Sequence, residues 1–296
     1  MSRLHRSSSV TKAPCINCPC CDATDTVATY SYGNSLIYCC QSCDFEFLRP
    51  LPLTEVSQRQ MDSIADAELF SPMLRALHER LIVWPEIRKV RKLLGRNNFK
   101  MLDIGCGTGW ISKIWTDSGA CVTGLEPSQT RGEIARKRGI RVLPCYVEDI
   151  DSSEYFDLIV IRHVLEHLEN PRDILKSLHS RLNPGGLVLI VVPNIDCIGR
   201  KLFDTDWTWV LPWHCNFFNP ESLRTLLHAA NYETTMTYQT PSPLWYSESF
   251  VRRFPTAGKL LQFSFLSMLL FSPLVAIGIL TGLSDNLTAI ARSRCR

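Results

Sequence analysis

The chain has 296 residues, a formal net charge of +3, and is 45% hydrophobic and 21% charged. These are the proportions of an ordinary globular protein, and so small a charge gives no argument for a nucleic-acid surface. The length accommodates one large domain and a small appendage.

The opening MSRLHRSSSV is basic and serine-rich, and residues 1–14 read as a disordered tail. No apolar signal-peptide core follows it, so a cytoplasmic location is expected. Seven of the thirteen cysteines crowd into residues 15–43. Cys18 and Cys21 form one C-x-x-C pair and Cys40 and Cys43 another, with 18 residues between them. Two such knuckles supply the four thiolates of a tetrahedral zinc site, and four sulfurs leave the ion no open position, so its role is structural. Cys15 offers an alternative C-x-x-C with Cys18, and Cys39 lies beside Cys40. The inner set is preferred because Cys-Asp closes each knuckle in the same way. This predicts a zinc-ribbon-like module over residues 15–52, closed by RPLP. Residues 53–97 follow as a helical linker or lid, with apolar repeats such as Leu74, Leu77, Leu81 and Val90, Leu93, Leu94.

From residue 98, short apolar runs alternate with amphipathic stretches. KMLDIG, CVTGLE, IRVLPCY, FDLIVI and LVLIVVP read as strands; WISKIWTDSG, SQTRGEIARKRG and PRDILKSLHSRL read as helices. That rhythm predicts a parallel sheet covered on both faces, with ligands bound beyond the carboxyl ends of the strands. In LDIGCGTGW, Gly105, Gly107 and Gly109 alternate directly after the first strand and let a ligand approach the backbone. Glu126 ends the second strand, 21 residues after Gly105, where a carboxylate accepts the hydroxyls of a ribose. The spacing D-x-G-x-G-x-G is not the G-x-G-x-x-G of a dinucleotide site. Asp103 is poorly placed beside phosphates and suits an ammonium group. No P-loop motif occurs.

LDIGCGTG, GLEPS, VEDI, FDLIVIRHVLEHLENP and LNPGGLVLIVVPN, in this order, resemble a class I S-adenosylmethionine-dependent methyltransferase over residues 98–240. The resemblance extends to methyltransferases of ubiquinone biosynthesis and to those encoded among bacterial glycan-assembly genes, which often carry a similar cysteine-rich head. It implies an α/β fold: a Rossmann-like seven-stranded methyltransferase sheet, the small N-terminal zinc-ribbon module, and an apolar helical insertion (241–284) before a last strand at 285–296. It implies S-adenosyl-L-methionine as cofactor. Asp103 would help hold the ammonium, and Gly105, Cys106, Gly107 and Gly109 would bracket the methionine part. Glu126 would bind the ribose, and Glu148 or Asp149 would meet the adenine. His163 would face the sulfonium and the acceptor.

On the acceptor side, RHVLEHLEN places His163, Glu166 and His167 at helical spacing. The related quinone methyltransferases are thought to hold a divalent metal with an acid and a Glu-His pair here. This chain has His163 where the first acid would lie, and local pairing of Glu166 and His167 is the alternative. DWTWVLPWHCNFF adds Trp207, Trp209 and Trp213 as a wall for an apolar or sugar acceptor, with His214 as first choice for the base. A hydroxyl acceptor needs such a base or a metal.

Residues 260–283 hold no charge in 24 positions. Pro273 is expected to break this stretch into two short helices that contact a membrane from the cytoplasmic face, or pair in a soluble core. The expected activity is methylation of an oxygen on a glycan intermediate or lipid-linked small molecule. A quinone-type metal-assisted enzyme and a non-catalytic cofactor-binding scaffold are the alternatives. No basic run with interleaved aromatics accompanies the head, so nucleic acid is not an expected partner.

Overall fold

The computed structural model describes residues 5–6, 15–32, 34–51, 72–150, 154–241, 243–258 and 265–294. The rest of the expected tail, residues 53–71 of the linker and residues 260–264 of the apolar stretch lie outside the described residues.

The head is antiparallel: β1 (His5–Arg6), β2 (Thr26–Tyr32), β3 (Ser35–Cys40) and β4 (Glu46–Arg49) lie in that order. A helix, α1 (Pro72–Leu94), leads into the body. Its Val83, Ile87 and Val90 are buried, whereas Leu81 faces solvent.

The body alternates as expected: β5 (Lys100–Ile104), α2 (Trp110–Asp117), β6 (Cys121–Leu125), α3 (Gln129–Lys137) and β7 (Arg141–Leu143). Then come β8 (Phe156–Arg162), α4 (Pro171–His179), β9 (Leu182–Pro193) and α5 (Ile198–Phe203). They are followed by β10 (Asn216–Phe217), α6 (Pro220–Ala229) and β11 (Tyr232–Thr240). Last come α7 (Pro243–Arg253), the short α8 (Pro255–Gly258), α9 (Phe265–Thr281) and β12 (Asn286–Ser293).

The large sheet runs β11-β12-β9-β8-β5-β6-β7. Pairs from β7 to β9 are parallel, and β12 inserts antiparallel between β9 and β11. Runs such as FDLIVI are buried throughout because both faces are covered. One layer packs α1, α2 and α3, for example Ile87, Trp115 and Ala135. The other packs α4, α6 and the cysteine head, for example Leu175, Leu226 and Phe45. Chain order reverses around β5, which lies between β6 and β8. The crevice beyond the carboxyl ends of these strands is therefore the ligand-binding position of the sheet.

The head joins the body through a strand that the sequence did not mark. The two-residue β10 adds to its sheet, pairing Asn216 with Phe47 and Phe217 with Glu46, while the Leu48 N–H donates to the Cys215 carbonyl at 2.9 Å. Phe45 packs on Phe218 at 5.1 Å, so head and body share one apolar core. One expectation, concerning Pro273, is corrected. The proline does not divide its segment; α9 runs through it. A proline leaves the carbonyl four residues back without its amide donor. Here that carbonyl, of Leu269, accepts from Ser272 Oγ at 2.8 Å, and the helix continues.

Candidate active site

Each of the three glycines after β5 has a left-handed backbone: Gly105 φ 69°, Gly107 φ 56° and Gly109 φ 73°. Their reasons for lacking a side chain differ. A Cβ on Gly109 would meet Ala135 Cβ at 2.7 Å, and one on Gly105 would meet Val164 Cγ2 at 2.5 Å. Those two let α3 and the loop after β8 pack closely. A Cβ on Gly107 would find nothing within 4 Å, so the open cradle lies there. Cys106 turns its sulfur toward Gly124 and donates its backbone N–H to the Leu125 carbonyl, so it is a packing residue of the turn.

Two buried carboxylates flank the cradle. Asp103 accepts from Ser112 Oγ at 2.5 Å, and burial pushes its carboxyl up to about 6, against the pull of Ser112 and Arg162. Glu126 accepts from the Gly107 N–H on one oxygen at 2.9 Å. Its other oxygen takes the Ser128 N–H at 2.9 Å and Arg131 at 3.0 Å. The first oxygen keeps a lone pair for a further hydroxyl. Arg131, in the first turns of α3, was not singled out in the sequence. Its spacing of five from Glu126, across a turn, was the available signal. Arg162, at the end of β8, pairs with the buried Glu86 of α1, another partnership that only the fold reveals. Glu148 and Asp149 lie exposed on a single helical turn beyond β7, at the same edge of the sheet.

This set fits the expected cofactor: an open backbone at Gly107, a ribose-type acceptor at Glu126, and a buried anion, Asp103, suited to an ammonium group. The chemistry of the donor set is that of S-adenosylmethionine rather than of a pyrophosphate.

The residues expected on the acceptor side lie in two loops that close on each other. His163 follows β8 with φ 51°, its N–H donating to the Val191 carbonyl at 2.9 Å. Its half-buried ring stacks on Trp209 at 4.8 Å, with an interplanar angle of 8°. Trp209 in turn stacks on His214 at 5.5 Å and meets Trp245 of α7 edge-on at 4.8 Å. Glu166 is fully buried. Its Oε1 lies 3.4 Å from His163 Nδ1, and neither carboxylate oxygen has a hydrogen-bond partner. Burial pushes this carboxyl up, but the imidazoles of His163, His167 and His214 outweigh it and hold Glu166 below the usual range.

His167 Nδ1 lies 3.1 Å from the Trp213 carbonyl and must donate there, which leaves Nε2 as the lone-pair nitrogen. The His214 ring meets His167 edge-on at 4.7 Å and is only 2% exposed; burial pulls it down to about 3, so it is neutral at physiological pH. Ligand atoms of Glu166, His167 and His214 lie within 4.8 Å of one another, close enough to share a cation. Trp207 does not line the pocket. It is 1% exposed and packs with Phe203, Tyr246 and Phe271, whereas Trp209 stacks its ring on His163 and His214. The loop leaves through α6, whose Asn219 accepts from the Ser222 N–H at 2.8 Å while Ser222 Oγ accepts from the Asn219 N–H at 3.0 Å.

In the head, the sulfurs of Cys18, Cys21, Cys40 and Cys43 converge within 4.8 Å. Cys18 and Cys43 are 3.7 Å apart, and Cys21 and Cys40 are 3.6 Å apart. A tetrahedral zinc with bonds of about 2.3 Å has sulfur–sulfur edges of about 3.8 Å. Asp22 (φ 71°) and Asp44 (φ 53°) close the two knuckles in matching left-handed turns, each N–H returning to the carbonyl of Cys18 or Cys40. Cys15 is exposed, and Cys20 donates to the Ser222 carbonyl instead.

The sheet order, the glycine turn and the ribose-type acid define a class I methyltransferase core. A family profile described as "Methyltransferase domain" matches residues 68–236, more than half of the chain. The chain belongs to that methyltransferase family. Among named relatives it is 31% identical over 132 residues to the ubiquinone biosynthesis O-methyltransferase of Bradyrhizobium diazoefficiens, spanning 43% of this chain and 52% of that protein. It is 34% identical over 112 residues to the mitochondrial enzyme of that name from Schizosaccharomyces pombe, spanning 35% of this chain and 41% of the other. The chain thus spans about half the length of these relatives or less. Among solved structures, a Thermotoga maritima methyltransferase described as a possible histamine N-methyltransferase superposes with a TM-score of 0.49 at 20% identity, over 74% of this chain and 92% of that one. The 1,6-didemethyltoxoflavin-N1-methyltransferase of Burkholderia thailandensis gives 0.48 at 18% identity, over 90% and 99%.

Proposed function

We propose that this enzyme methylates a hydroxyl group of a small acceptor, a glycan intermediate or lipid-linked molecule, with His163 as general base. The observation that carries the reading is the buried Glu166 carboxylate, without a hydrogen-bond partner and facing the half-buried ring of His163 at 3.4 Å. When bound, the cofactor supplies an electrophilic methyl group. Gly107, Glu126 and Asp103 would hold it, and the acceptor would enter over His163 and Trp209. His163 takes the hydroxyl proton, and the Glu166 charge stabilises the imidazolium that results. Trp209 clamps the ring in place. His214, neutral and buried, belongs to the wall behind Trp209, so the base role passes to His163. The two ubiquinone biosynthesis enzymes named above are O-methyltransferases, which agrees with an oxygen acceptor.

A second reading has a specific observation in its favour. His167, His214 and Glu166 converge, and the Trp213 carbonyl orients His167 as outer partners orient metal ligands. A divalent cation there would polarise the acceptor oxygen, as in a quinone-type enzyme. In the head, we assign a structural zinc to Cys18, Cys21, Cys40 and Cys43.

The test uses cofactor labelled in its methyl group, incubated with purified protein and host lysate. Label in a lipid or glycan fraction, lost in His163→Gln and independent of added magnesium or manganese, supports the base reading. Turnover that requires the added cation transfers the role to the metal reading. Bound cofactor with no labelled product in any fraction defeats both.

A further inference from the structure

The largest mismatch between side-chain chemistry and environment lies in α9, remote in sequence from the motifs. One face of this helix is bound to the body: Phe271 stacks on Tyr246 at 6.2 Å and meets Phe250 at 5.8 Å, with Leu274 and Val275 beside it. Among the residues whose side chains are described, several large apolar ones face outward. Leu280 is 85% exposed, Ile279 59% and Leu269 55%, and Leu270 and Ile277 are also exposed. At 3.6 residues per turn, the outward positions from Ile279 through Leu269 to Thr281 sweep about 200° of the helix. An apolar stripe meant for one protein partner spans about 100°. A second copy of the chain laid against α9 would therefore leave half of that arc in water.

The two hydroxyls on this arc, Ser272 and Thr281, donate back to the carbonyls of Leu269 and Ile277 at 2.8 and 2.7 Å. The arc thus presents no hydroxyl that water must satisfy. A helix in hydrocarbon has to close its own polar groups in this way. The charges around the segment have one sign: from Ser249 to Ser284 the sequence contains Arg252, Arg253 and Lys259 and no acid. Arg253, at the end of α7, pairs with Asp206 of the body at 3.0 Å and remains 56% exposed. Seventeen residues of helix reach about 26 Å, short of a hydrocarbon core of about 30 Å. No helix among the described residues is long and apolar enough to cross a membrane.

We propose that α9 seats the protein on an anionic lipid bilayer. It lies in the plane between headgroups and acyl chains, with Leu269, Leu270, Ile277, Ile279 and Leu280 immersed and the basic residues before it against lipid phosphates. The inner face of α9 packs on α7, whose Trp245 touches Trp209, so this surface adjoins the acceptor wall. The inference does not rest on the catalytic reading, because vesicle binding requires no turnover.

The experiment is flotation of the full chain with phosphatidylcholine vesicles, with and without phosphatidylserine. The wild type should float with the anionic vesicles, and high salt should weaken binding. The triple variant Leu269→Glu/Ile277→Glu/Leu280→Glu should partition about tenfold less or weaker still, with unchanged melting temperature and cofactor affinity. Three results would overturn the proposal: a wild type that ignores both vesicle types, a variant that floats as well as the wild type, or a lipid-free dimer that the variant converts to monomer. The last would assign the surface to a second copy.

Discussion

The rings of His163 and Trp209 lie parallel, 4.8 Å apart, although the residues come from different loops of the body. The stack fixes a histidine whose left-handed backbone gives it a restricted, locally strained position. Glu166 Oε1 faces its Nδ1 from the buried side. Removing the ring by His163→Gln should lower kcat by about 100- to 10,000-fold, the usual worth of a general base. Trp209→Ala should lower it less, and Trp209→Phe should restore most of the loss. Cofactor affinity measured by calorimetry should be unchanged in all three. A fall in that affinity matching the loss of rate would place His163 in the cofactor site instead.

The glycines separate packing from binding. Gly109→Ala drives a Cβ to 2.7 Å from Ala135 Cβ and 2.9 Å from its Cα, backbone that cannot yield easily. It should cost about 1–3 kcal/mol of overpacking, with about 1–2 kcal/mol more for a left-handed alanine. Gly107→Ala bears only the backbone cost, because nothing lies within 4 Å. It should weaken cofactor binding at least tenfold while the melting temperature falls less than in Gly109→Ala. Thermal denaturation and calorimetry on the same two variants check this; equal melting temperatures would contradict the packing assignment.

Much of this was legible in the sequence, for a physical reason. Strand–helix rhythm, alternate glycines and paired C-x-x-C knuckles are local patterns, and local geometry decides them. Asp103, Gly107 and Glu126 therefore fall around one cradle, and the four expected cysteines converge. What the sequence concealed is decided by distant chain. Trp207 and Trp209 look equivalent in WTW, yet the first meets Tyr246 and Phe271 while the second meets two histidines. His214 reads as an accessible base until Trp209 and His167 cover it. Pro273 reads as a helix breaker until the Ser272 hydroxyl takes up the carbonyl it orphans. The pairing of β10 with the head depends on two residues too few to show any period.

His214 makes stability depend on acidity. Burial holds its folded pKa near 3, below the ordinary 6.5. Between those values the unfolded chain binds the proton first, so stability falls as pH drops through this window. Asp103 acts in the opposite sense: its folded value of about 6 exceeds the ordinary 3.8, so acidification between these favours the fold. The two effects oppose each other in the wild type, and a variant separates them. His214→Gln removes the first alone. The difference in unfolding free energy between wild type and variant should shrink by up to about 1.4 kcal/mol per pH unit as pH falls below about 6.5. Denaturant titrations at several pH values measure it, and a difference independent of pH would show that His214 titrates normally in the fold.

The cysteine cluster should govern the acceptor side from a distance. Cys40 ends β3, and Cys43 begins the turn into β4, whose Phe47 and Glu46 pair with Asn216 and Phe217. Those two residues come directly after His214 and Cys215, and the Cys215 N–H donates to the Glu166 carbonyl at 2.8 Å. The knuckle thus supports both loops that hold the histidines by backbone pairing, and it meets Leu102 and Ile104 of β5 and Leu125 of β6 through the shared apolar core. Cys40→Ser/Cys43→Ser should reduce metal content from one zinc per chain to none, by elemental analysis, and should lower the melting temperature. Because structural zinc contributes folding free energy directly, milder single variants such as Cys43→Asp keep the test usable if the double variant fails to fold. In these, kcat for methyl transfer should fall while cofactor affinity holds. Cys15→Ser, outside the cluster and exposed, should change neither metal content nor rate. If cofactor affinity fell together with metal content, the head would be supporting the whole body, and its specific link to the acceptor loops would be lost.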